Sequence, residues 1–250
     1  MEVSALDLRR RKVGSKEEDP DQDPDQGPRG WWLEAVTLSR AVWDFWRRHP
    51  RSLLGGIVVS LGLVAWLVWP HDWHWLREMD AGQRLPRDRP WYQLAGWLGK
   101  YGDFNCWNLI LFFGIGGVAL VRRCGALRRL ALASLLGAVF SGLAVNVLRF
   151  STGRPRPFVQ VADGFYGPRL EGRYHAFPSG HTATASGAAV PLLVACPVVG
   201  LPVAVVAGSV AWARMRANMH HPSDIAVSVI VAGVFGIPLG LKLRRWRKNG

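Results

Sequence analysis

The stretch "TATASGAAVPLLVACPVVGLPVAVVAGSVAWA", residues 182–213, decides how this chain folds. It runs for 32 residues without a charged side chain. A membrane helix needs about 20 residues, so the run is too long for one ordinary crossing and barely long enough for two. Three helix breakers, Pro197, Gly200 and Pro202, lie in its middle. We therefore predict a tight hairpin of two short helices that turns near Val199.

Four further charge-free runs approach the length of a membrane crossing. They cover residues 53–69, 104–121, 130–148 and 225–241. The first begins too far from the N-terminus to be a cleaved signal peptide, so we expect it to remain as an anchor. Together with the hairpin, these runs predict an all-α integral membrane protein, a bundle of six transmembrane helices.

The charge pattern predicts an orientation for this bundle. The formal net charge is +13, but the basic residues cluster between apolar runs, which argues against a nucleic-acid partner. Three clusters, residues 46–51, 122–129 and 242–248, fall on one side of the six-helix arrangement. The positive-inside rule assigns that side, and both termini, to the cytoplasm. The opposite loops, residues 71–102 and 149–180, also carry basic side chains.

Three parts of the chain are distinguished by composition. Residues 1–30 are polar, contain the near-repeat "DPDQDPDQ", and are predicted to be a disordered cytoplasmic tail. Residues 31–50 form an interfacial segment, either an amphipathic helix on the membrane surface or a simple run-in to the first span. Residues 51–245 form the transmembrane domain. Three cysteines in or beside the spans argue against a disulfide framework or a zinc site.

Three polar stretches fall on the outer face of the predicted bundle. They are "RFSTGRPRP" at residues 149–157, "FPSGH" at residues 177–181 and "RMRANMHHPSD" at residues 214–224. The hairpin matters here, because its two crossings return the chain to the side that it left. His181 and His220 are therefore predicted to lie close together.

The residue types in these stretches suit a phosphate group. Pro178 fixes the entry to a helix, Ser179 caps it, and Gly180 lets the backbone approach a ligand closely. The start of a helix favours an anion through its free backbone N–H groups and its dipole. Forked cationic donors for phosphate oxygens come from four arginines, Arg149, Arg154, Arg156 and Arg214.

Two histidines add reactivity to this anion site. Asp224 follows His220 by four residues and is expected to hold one imidazole nitrogen protonated, leaving the other free to attack phosphorus. His181 is then placed to protonate the leaving oxygen. The combination predicts phosphoryl transfer through a covalent phosphohistidine.

The three stretches resemble the signature of the type 2 phosphatidic acid phosphatase (PAP2) superfamily, which runs K-x6-R-P, then P-S-G-H, then S-R-x5-H-x3-D. The first part fits residues 149–157, except that Arg149 replaces the family lysine. The second fits residues 178–181 without change. The third fits residues 213–224, with Ala213 where the family has serine.

The resemblance extends over roughly residues 53–241 and carries the family's roles to the matched positions. It implies that His220 is the nucleophile, Asp224 its orienting partner and His181 the general acid. It implies no metal or other cofactor and a site at the periplasmic or extracellular interface. The residues that it assigns to the phosphate are Arg149, Arg156, Ser179, Gly180 and Arg214.

The resulting prediction is a metal-independent lipid phosphate phosphatase. Phosphatidic acid, phosphatidylglycerophosphate, undecaprenyl pyrophosphate and lipid A phosphates all present a suitable headgroup, and the sequence does not choose among them. A lipid phosphotransferase that uses the same site is the first alternative, and a non-enzymatic lipid binder or transporter is a remote one. Arginine far outnumbers lysine, which is typical of a GC-rich bacterial genome. We therefore expect a bacterial inner membrane, with the active site facing the periplasm. The oligomeric state is left open.

Ordinary structural explanations exist for each motif taken singly. Pro-Ser-Gly is common turn chemistry, and Asp224 is a good helix N-cap. A metal site built from the histidines and Asp224 is disfavoured, since the surrounding arginines repel a divalent cation. Four residues near the motifs fall outside the matched positions, and we expect them to lie in solvated loops or against lipid headgroups: Arg154, His175, Arg216 and His221.

Overall fold

The computed structural model describes residues 27–79 and 90–249, and within them the chain is all-α, as predicted, with no strand. The tail predicted for residues 1–30 lies almost entirely outside the described residues. The fold is therefore built only from helices and their connections.

Most of the helices follow one another closely, but residues 153–179 form a long connection that contains two short 3₁₀ turns, Pro157–Val159 and Gly172–Tyr174. The first four are α1 (Pro28–Arg48), α2 (Pro50–Leu63), α3 (Asp72–Glu78) and α4 (Pro90–Tyr101). A π turn (Val64–Val68) and a 3₁₀ turn (Trp69–His71) join α2 to α3 without a break. A second π turn (Phe104–Asn108) leads into α5 (Leu109–Val121), and the rest are α6 (Gly125–Thr152), α7 (Gly180–Ala195), α8 (Pro197–Arg216) and α9 (Pro222–Asn249).

Five helical stretches in the described residues are long and apolar enough to cross a membrane. They are Pro50–Glu78, Phe104–Val121, Gly125–Val159, Pro197–Arg216 and Pro222–Arg247. The sixth predicted span corresponds to α7, which has only 16 residues. At 1.5 Å per residue it is about 24 Å long, shorter than the roughly 30 Å hydrocarbon core of a bilayer. Six crossings therefore stay a prediction.

The predicted hairpin is present as α7 and α8. Its turn falls at Cys196, three residues before the expected Val199, because Pro197 occupies the first turn of α8, where the missing N–H costs nothing. Pro202, predicted to break a helix, lies inside α8 instead. A Cβ atom at Gly200 would collide with the backbone of Leu193, so this glycine permits the close return of the chain.

Small residues let α7 sit at the centre of the bundle between α6, α8 and α9. Gly137 of α6 faces Gly187 of α7 so closely that a Cβ atom on Gly137 would collide with the Gly187 carbonyl oxygen. Close backbone approach through small residues is typical of helix packing in membranes. This contact holds the middle of α7 against α6.

The helix α1 packs on the opposite end. Leu38 and Val42 are buried in a cluster formed with α6 and α9. Glu34 accepts hydrogen bonds from Arg128 and Arg129, and the Arg129 guanidinium lies 5.0 Å from the Trp246 ring centroid. The basic ends of α6 and α9 therefore meet at the same end of the bundle, as the charge pattern predicted. A location of α1 at the membrane surface stays a prediction.

The first span contrasts with the core helices. None of the α2 side chains is fully buried. Leu53 and Ile57 are half-buried on one face, and the other large apolar residues are exposed, as suits a helix that is mostly surrounded by lipid. Its continuation α3 behaves differently, because Asp72 is completely buried there. That buried carboxylate lies beside the polar end of the bundle.

Candidate active site

The three motif stretches meet at one end of the bundle. They occupy the C-terminus of α6, the N-terminus of α7 and the loop between α8 and α9. The Ser179 backbone N–H donates to Ser228 Oγ at 2.8 Å, and His220 Nδ1 lies 2.7 Å from the Ala176 carbonyl oxygen. His181 and His220 are therefore at the same end, as the hairpin predicted. The structure does not orient this end relative to a membrane.

His220 is buried, with 2% of its surface exposed. A carbonyl oxygen only accepts hydrogen bonds, so the Nδ1 atom facing Ala176 carries the proton, and Nε2 keeps its lone pair when the ring is neutral. Burial lowers the pKa of His220 well below its ordinary range, and the positive charges of Arg214 and Arg156 lower it further. A neutral imidazole with an accessible lone pair on Nε2 is the nucleophilic form of histidine.

Asp224 is completely buried and fixes the loop before α9. Its Oδ1 accepts from Arg154 Nη1 at 2.6 Å, and its Oδ2 accepts from the His221 backbone N–H at 2.7 Å. The same Oδ2 lies 3.9 Å from His220 Nδ1, beyond hydrogen-bond distance. The expectation that Asp224 holds the His220 ring directly is therefore wrong, because the Ala176 carbonyl occupies Nδ1 and Asp224 instead binds the loop that carries His220.

Three motif arginines carry charge without a carboxylate partner. Among the described residues, Arg149, Arg156 and Arg214 form no salt bridge, and the buried Nε of each lacks a hydrogen-bond partner. Their remaining contacts are to neutral groups: the Asn146 side chain, the Met219 sulfur and the Gly99 carbonyl. Arg214 is buried and the other two are half-buried, so three cations partly removed from water lie together without a counter-charge, an arrangement that favours an anion. We call these three residues the open arginines.

The first turn of α7 faces the open arginines. Ser179 occupies the N-cap position, as predicted, but its hydroxyl accepts from Thr182 Oγ1 at 3.1 Å and makes no bond to the helix backbone. A Cβ atom at Gly180 would lie 3.3 Å from Arg149 Nη1, which shows how closely the guanidinium approaches the helix start. The helix N-terminus and the arginines therefore favour an anion at one point.

His181 is the second residue of α7 and is half-buried. The charges of all three open arginines act on it, and Asp103 lies within electrostatic range as an opposing charge. In the part of the chain that the structure describes, its ring makes no hydrogen bond to another side chain. His181 is therefore free to exchange a proton with a ligand bound at the arginines.

The expectation for three residues near the motifs is wrong. Arg154, His175 and His221 are buried and not solvated. His175 Nε2 lies 2.8 Å from the Arg169 carbonyl oxygen, and His221 Nδ1 lies 3.2 Å from Asp224 Oδ2. These three side chains therefore bind groups inside the protein. Arg216, the fourth residue of that expectation, is half-buried.

Arg154 and Arg156 have different surroundings although only Pro155 separates them. Gly153 ends α6 in the left-handed conformation, with φ +60°, which suits glycine. Arg156 is extended, with φ −72° and ψ 149°. Arg154 lies inside the protein, where it binds carboxylates, and Arg156 lies near Arg149 and Arg214. Residues two apart in an extended segment share a side, so alternation along the sequence did not predict this difference.

Two polar residues of the site were missed from the sequence. Asp72 and Ser223 are buried and hydrogen-bonded to each other, although 151 positions separate them. Only the charge of Asp72 at the end of an apolar run hinted at a role. Across residues 27–79 and 90–249, no three His, Cys, Asp or Glu side chains converge as metal ligands.

Comparisons with known proteins agree with the motifs. Residues 130–248 match the family described as the PAP2 superfamily. A lipid A 1-phosphatase from Rhizobium etli is 27% identical over 158 residues, which cover 58% of this chain and 68% of the relative. No solved structure matches the chain. With its apolar helices, the chain is an integral membrane protein. Residues 130–248, which contain all three motifs, are similar to the PAP2 superfamily, and both comparisons support a phosphatase.

Proposed function

We propose that this chain is a metal-independent phosphatase of membrane lipid phosphates that works through a phosphohistidine at His220. The observation that carries the proposal is the environment of His220. Its ring is held through Nδ1 by the Ala176 carbonyl and kept neutral by burial beside the open arginines. This arrangement supplies a nucleophile next to a place where an anion is needed.

In the first step, His220 Nε2 attacks phosphorus. The N–P bond forms as the P–O bond to the lipid breaks. The negative charge of the bound substrate offsets the open arginines and favours the protonated form of His181, which gives its proton to the leaving oxygen. The open arginines and the first turn of α7 hold the remaining phosphate oxygens and stabilise the charge that develops on them. His181 is left neutral.

In the second step, His181 takes a proton from a water molecule. The water oxygen attacks phosphorus, the N–P bond breaks, and inorganic phosphate leaves. His220 returns to its neutral form and His181 to its protonated form. A phosphotransferase differs only here, because an acceptor lipid takes the place of water.

The substrate is a lipid that carries a phosphomonoester or pyrophosphate. The relative from Rhizobium etli is named for its action on lipid A, so a lipid A phosphate is the first substrate to test. Phosphatidic acid, phosphatidylglycerophosphate and undecaprenyl pyrophosphate complete the panel.

The membrane is a bacterial inner membrane, with the site facing the periplasm and both termini in the cytoplasm. The support is the basic group formed by the ends of α6 and α9, which lies at the end of the bundle away from His220. The tail (residues 1–30), the interfacial segment (31–50) and the catalytic domain (51–245) are part of the same proposal.

The three free cysteines test this orientation. Cys106 lies in the π turn close to the site end, while Cys124 and Cys196 lie in the two turns at the other end. A membrane-impermeant thiol reagent applied to spheroplasts should label Cys106 and reach Cys124 only after lysis. Labelling of Cys124 in intact spheroplasts would reverse the orientation.

The activity test measures phosphate release from the lipid panel by detergent-purified protein in EDTA. Wild-type protein should release phosphate from one lipid, and His220→Ala should release none. His175→Ala is the matched control, because it also removes a buried histidine bonded to a carbonyl, outside the proposed machinery. Equal turnover by His220→Ala and wild type would refute the assignment. Phosphate transfer to an added lipid, without release, would establish the phosphotransferase.

A further inference from the structure

Arg154 uses its whole guanidinium on internal partners. Nε and Nη2 donate to the two oxygens of Asp163 at 2.9 and 2.7 Å. Nη2 also donates to Asp72 Oδ2 at 2.9 Å, and Nη1 donates to Ser223 Oγ at 2.7 Å and Asp224 Oδ1 at 2.6 Å. Arg154 therefore has no donor left for a substrate phosphate.

Asp72 connects this arginine to the loop that carries His220. Its Oδ1 accepts from the Ser223 backbone N–H at 2.8 Å, and its Oδ2 accepts from the Ser223 hydroxyl as well as from Arg154. Ser223 directly precedes Asp224 and follows His220 by three residues. Asp72 lies on a helix that is far away in the sequence. It thus binds the segment from His220 to Asp224, which we call the catalytic loop.

We propose that Asp72 is a positioning residue for the phosphatase reaction. It holds Ser223 and Arg154, and through them it fixes the segment from His220 to Asp224 so that Nε2 faces the bound phosphorus. This inference rests on the proposed function of the site. It makes the first span part of the catalytic scaffold, although Asp72 lies outside the segment that matches the family.

Asp163 provides a matched comparison for Asp72. Both carboxylates form a salt bridge with Arg154, at 2.7 and 2.9 Å. Asp163 is 20% exposed and makes no hydrogen bond to the residues from His220 to Asp224, whereas Asp72 is 1% exposed and binds Ser223 twice. Removing either charge takes one carboxylate partner from Arg154. Only the removal of the Asp72 charge also takes a hydrogen-bond partner from Ser223, in the catalytic loop.

The test compares Asp72→Asn with Asp163→Asn in the full-length protein. The asparagine at position 72 keeps the shape but offers one acceptor oxygen where two are used, so Ser223 loses a contact. Because a displacement of about 1 Å can cost about 100-fold, we expect kcat to fall about 100-fold. KM should change less than about threefold, because the open arginines are untouched. Asp163→Asn should keep kcat within about threefold.

A double-mutant cycle with Ser223→Ala separates positioning from general destabilisation. If Asp72 acts through Ser223, the Asp72→Asn/Ser223→Ala protein should be no slower than the slower single variant. The losses of Asp163→Asn and Ser223→Ala should instead multiply. If Asp72→Asn fails to fold, Ser223→Ala alone still tests the link, with kcat expected to fall about tenfold at constant KM.

A second readout does not depend on turnover. Orthovanadate gains from coordination to a well-placed histidine nitrogen, whereas inorganic phosphate needs only the open arginines. The rise in melting temperature with anion concentration would give the affinity for each anion. Asp72→Asn should lose the preference for vanadate and keep its phosphate affinity, while Asp163→Asn should keep both.

The outcomes distinguish the two levels of the account. Phosphate release by wild type with equal kcat losses in both asparagine variants would overturn the positioning role and leave the phosphatase intact. A wild type that turns over no lipid phosphate would contradict the proposed function, and the vanadate preference would then decide the role of Asp72 alone. An unchanged vanadate preference in Asp72→Asn would overturn it.

Discussion

Arg154 and Arg156 are separated by one proline, yet their surroundings are opposite. Arg154 is fully buried among three carboxylates, and the Trp69 ring lies 3.9 Å from its guanidinium. Arg156 has a methionine sulfur as a partner and no carboxylate within the described chain. One arginine therefore binds carboxylates around the loop of the site, and we propose that the other binds the substrate anion.

The largest effect should come from replacing Arg154, the arginine that is paired with carboxylates. Arg154→Met leaves Asp72, Asp163 and Asp224 without their cation. Removing one partner of a buried ion pair typically costs about 3–5 kcal/mol, so we expect the free energy of unfolding to fall by that amount. Chemical or thermal unfolding in detergent measures it. Stability equal to wild type would show that the carboxylates do not depend on Arg154.

The same substitution at Arg156, one of the open arginines, should lower catalytic activity and not stability. Arg156→Met removes a half-buried cation that has no carboxylate partner, so stability should not fall, whereas kcat/KM should drop by about 100-fold or more through lost charge stabilisation. Arg173→Met is the control, because Arg173 lies on the same loop but is exposed and pairs with Glu171. A stability loss in Arg156→Met as large as in Arg154→Met would remove the distinction between the two arginines.

Anion binding sharpens the comparison without a substrate. Inorganic phosphate should stabilise the wild type by about 2.7 kcal/mol at a hundred times its Kd, because it supplies the missing counterion. Arg214→Met should weaken this effect, and Arg173→Met should leave it unchanged. Melting temperature against phosphate concentration measures it, with sulfate as a second anion. Equal stabilisation of Arg214→Met and wild type would contradict an anion site there.

The smallest effect concerns pH. Burial, together with Arg214 and Arg156, keeps the pKa of His220 well below 6.5, so the unfolded chain binds a proton there more readily than the folded protein. Stability is therefore complete above pH 6.5 and falls as the pH drops below that value, by at most about 1.4 kcal/mol per pH unit. His220→Asn should flatten this acid dependence. An identical slope in the variant would assign it to other groups.

The sequence predicted the elements that depend on local patterns. The charge-free run 104–121 coincides with an observed span, and the helix breakers predicted the hairpin. The turn was misplaced because proline is tolerated at position 197 in the first turn of a helix. The length of α7 was overestimated for the same reason, because α7 begins beside Ser179 as predicted but ends at Ala195, before the expected turn.

The sequence motifs predicted the residues of the candidate site. They did not predict the contacts that the site makes with residues far away in the sequence. The motif residues were brought together, because the hairpin topology requires it. The acceptor for His220 is a backbone carbonyl at Ala176, and any residue type supplies a carbonyl, so the sequence held no signal. The link from Asp72 to Ser223 depends on packing of the first span against α9, which residue patterns do not encode.

The most direct measurement is the identity of the residue that carries the phosphoryl group. Wild-type protein is mixed with the lipid that it hydrolyses, quenched under alkaline conditions that preserve phosphohistidine, digested and analysed by mass spectrometry. The account predicts a phosphoryl group on His220, none in His220→Ala, and normal trapping in Asp163→Asn. A phosphoryl group on another residue, or turnover by the wild type with His220 never modified, would contradict it.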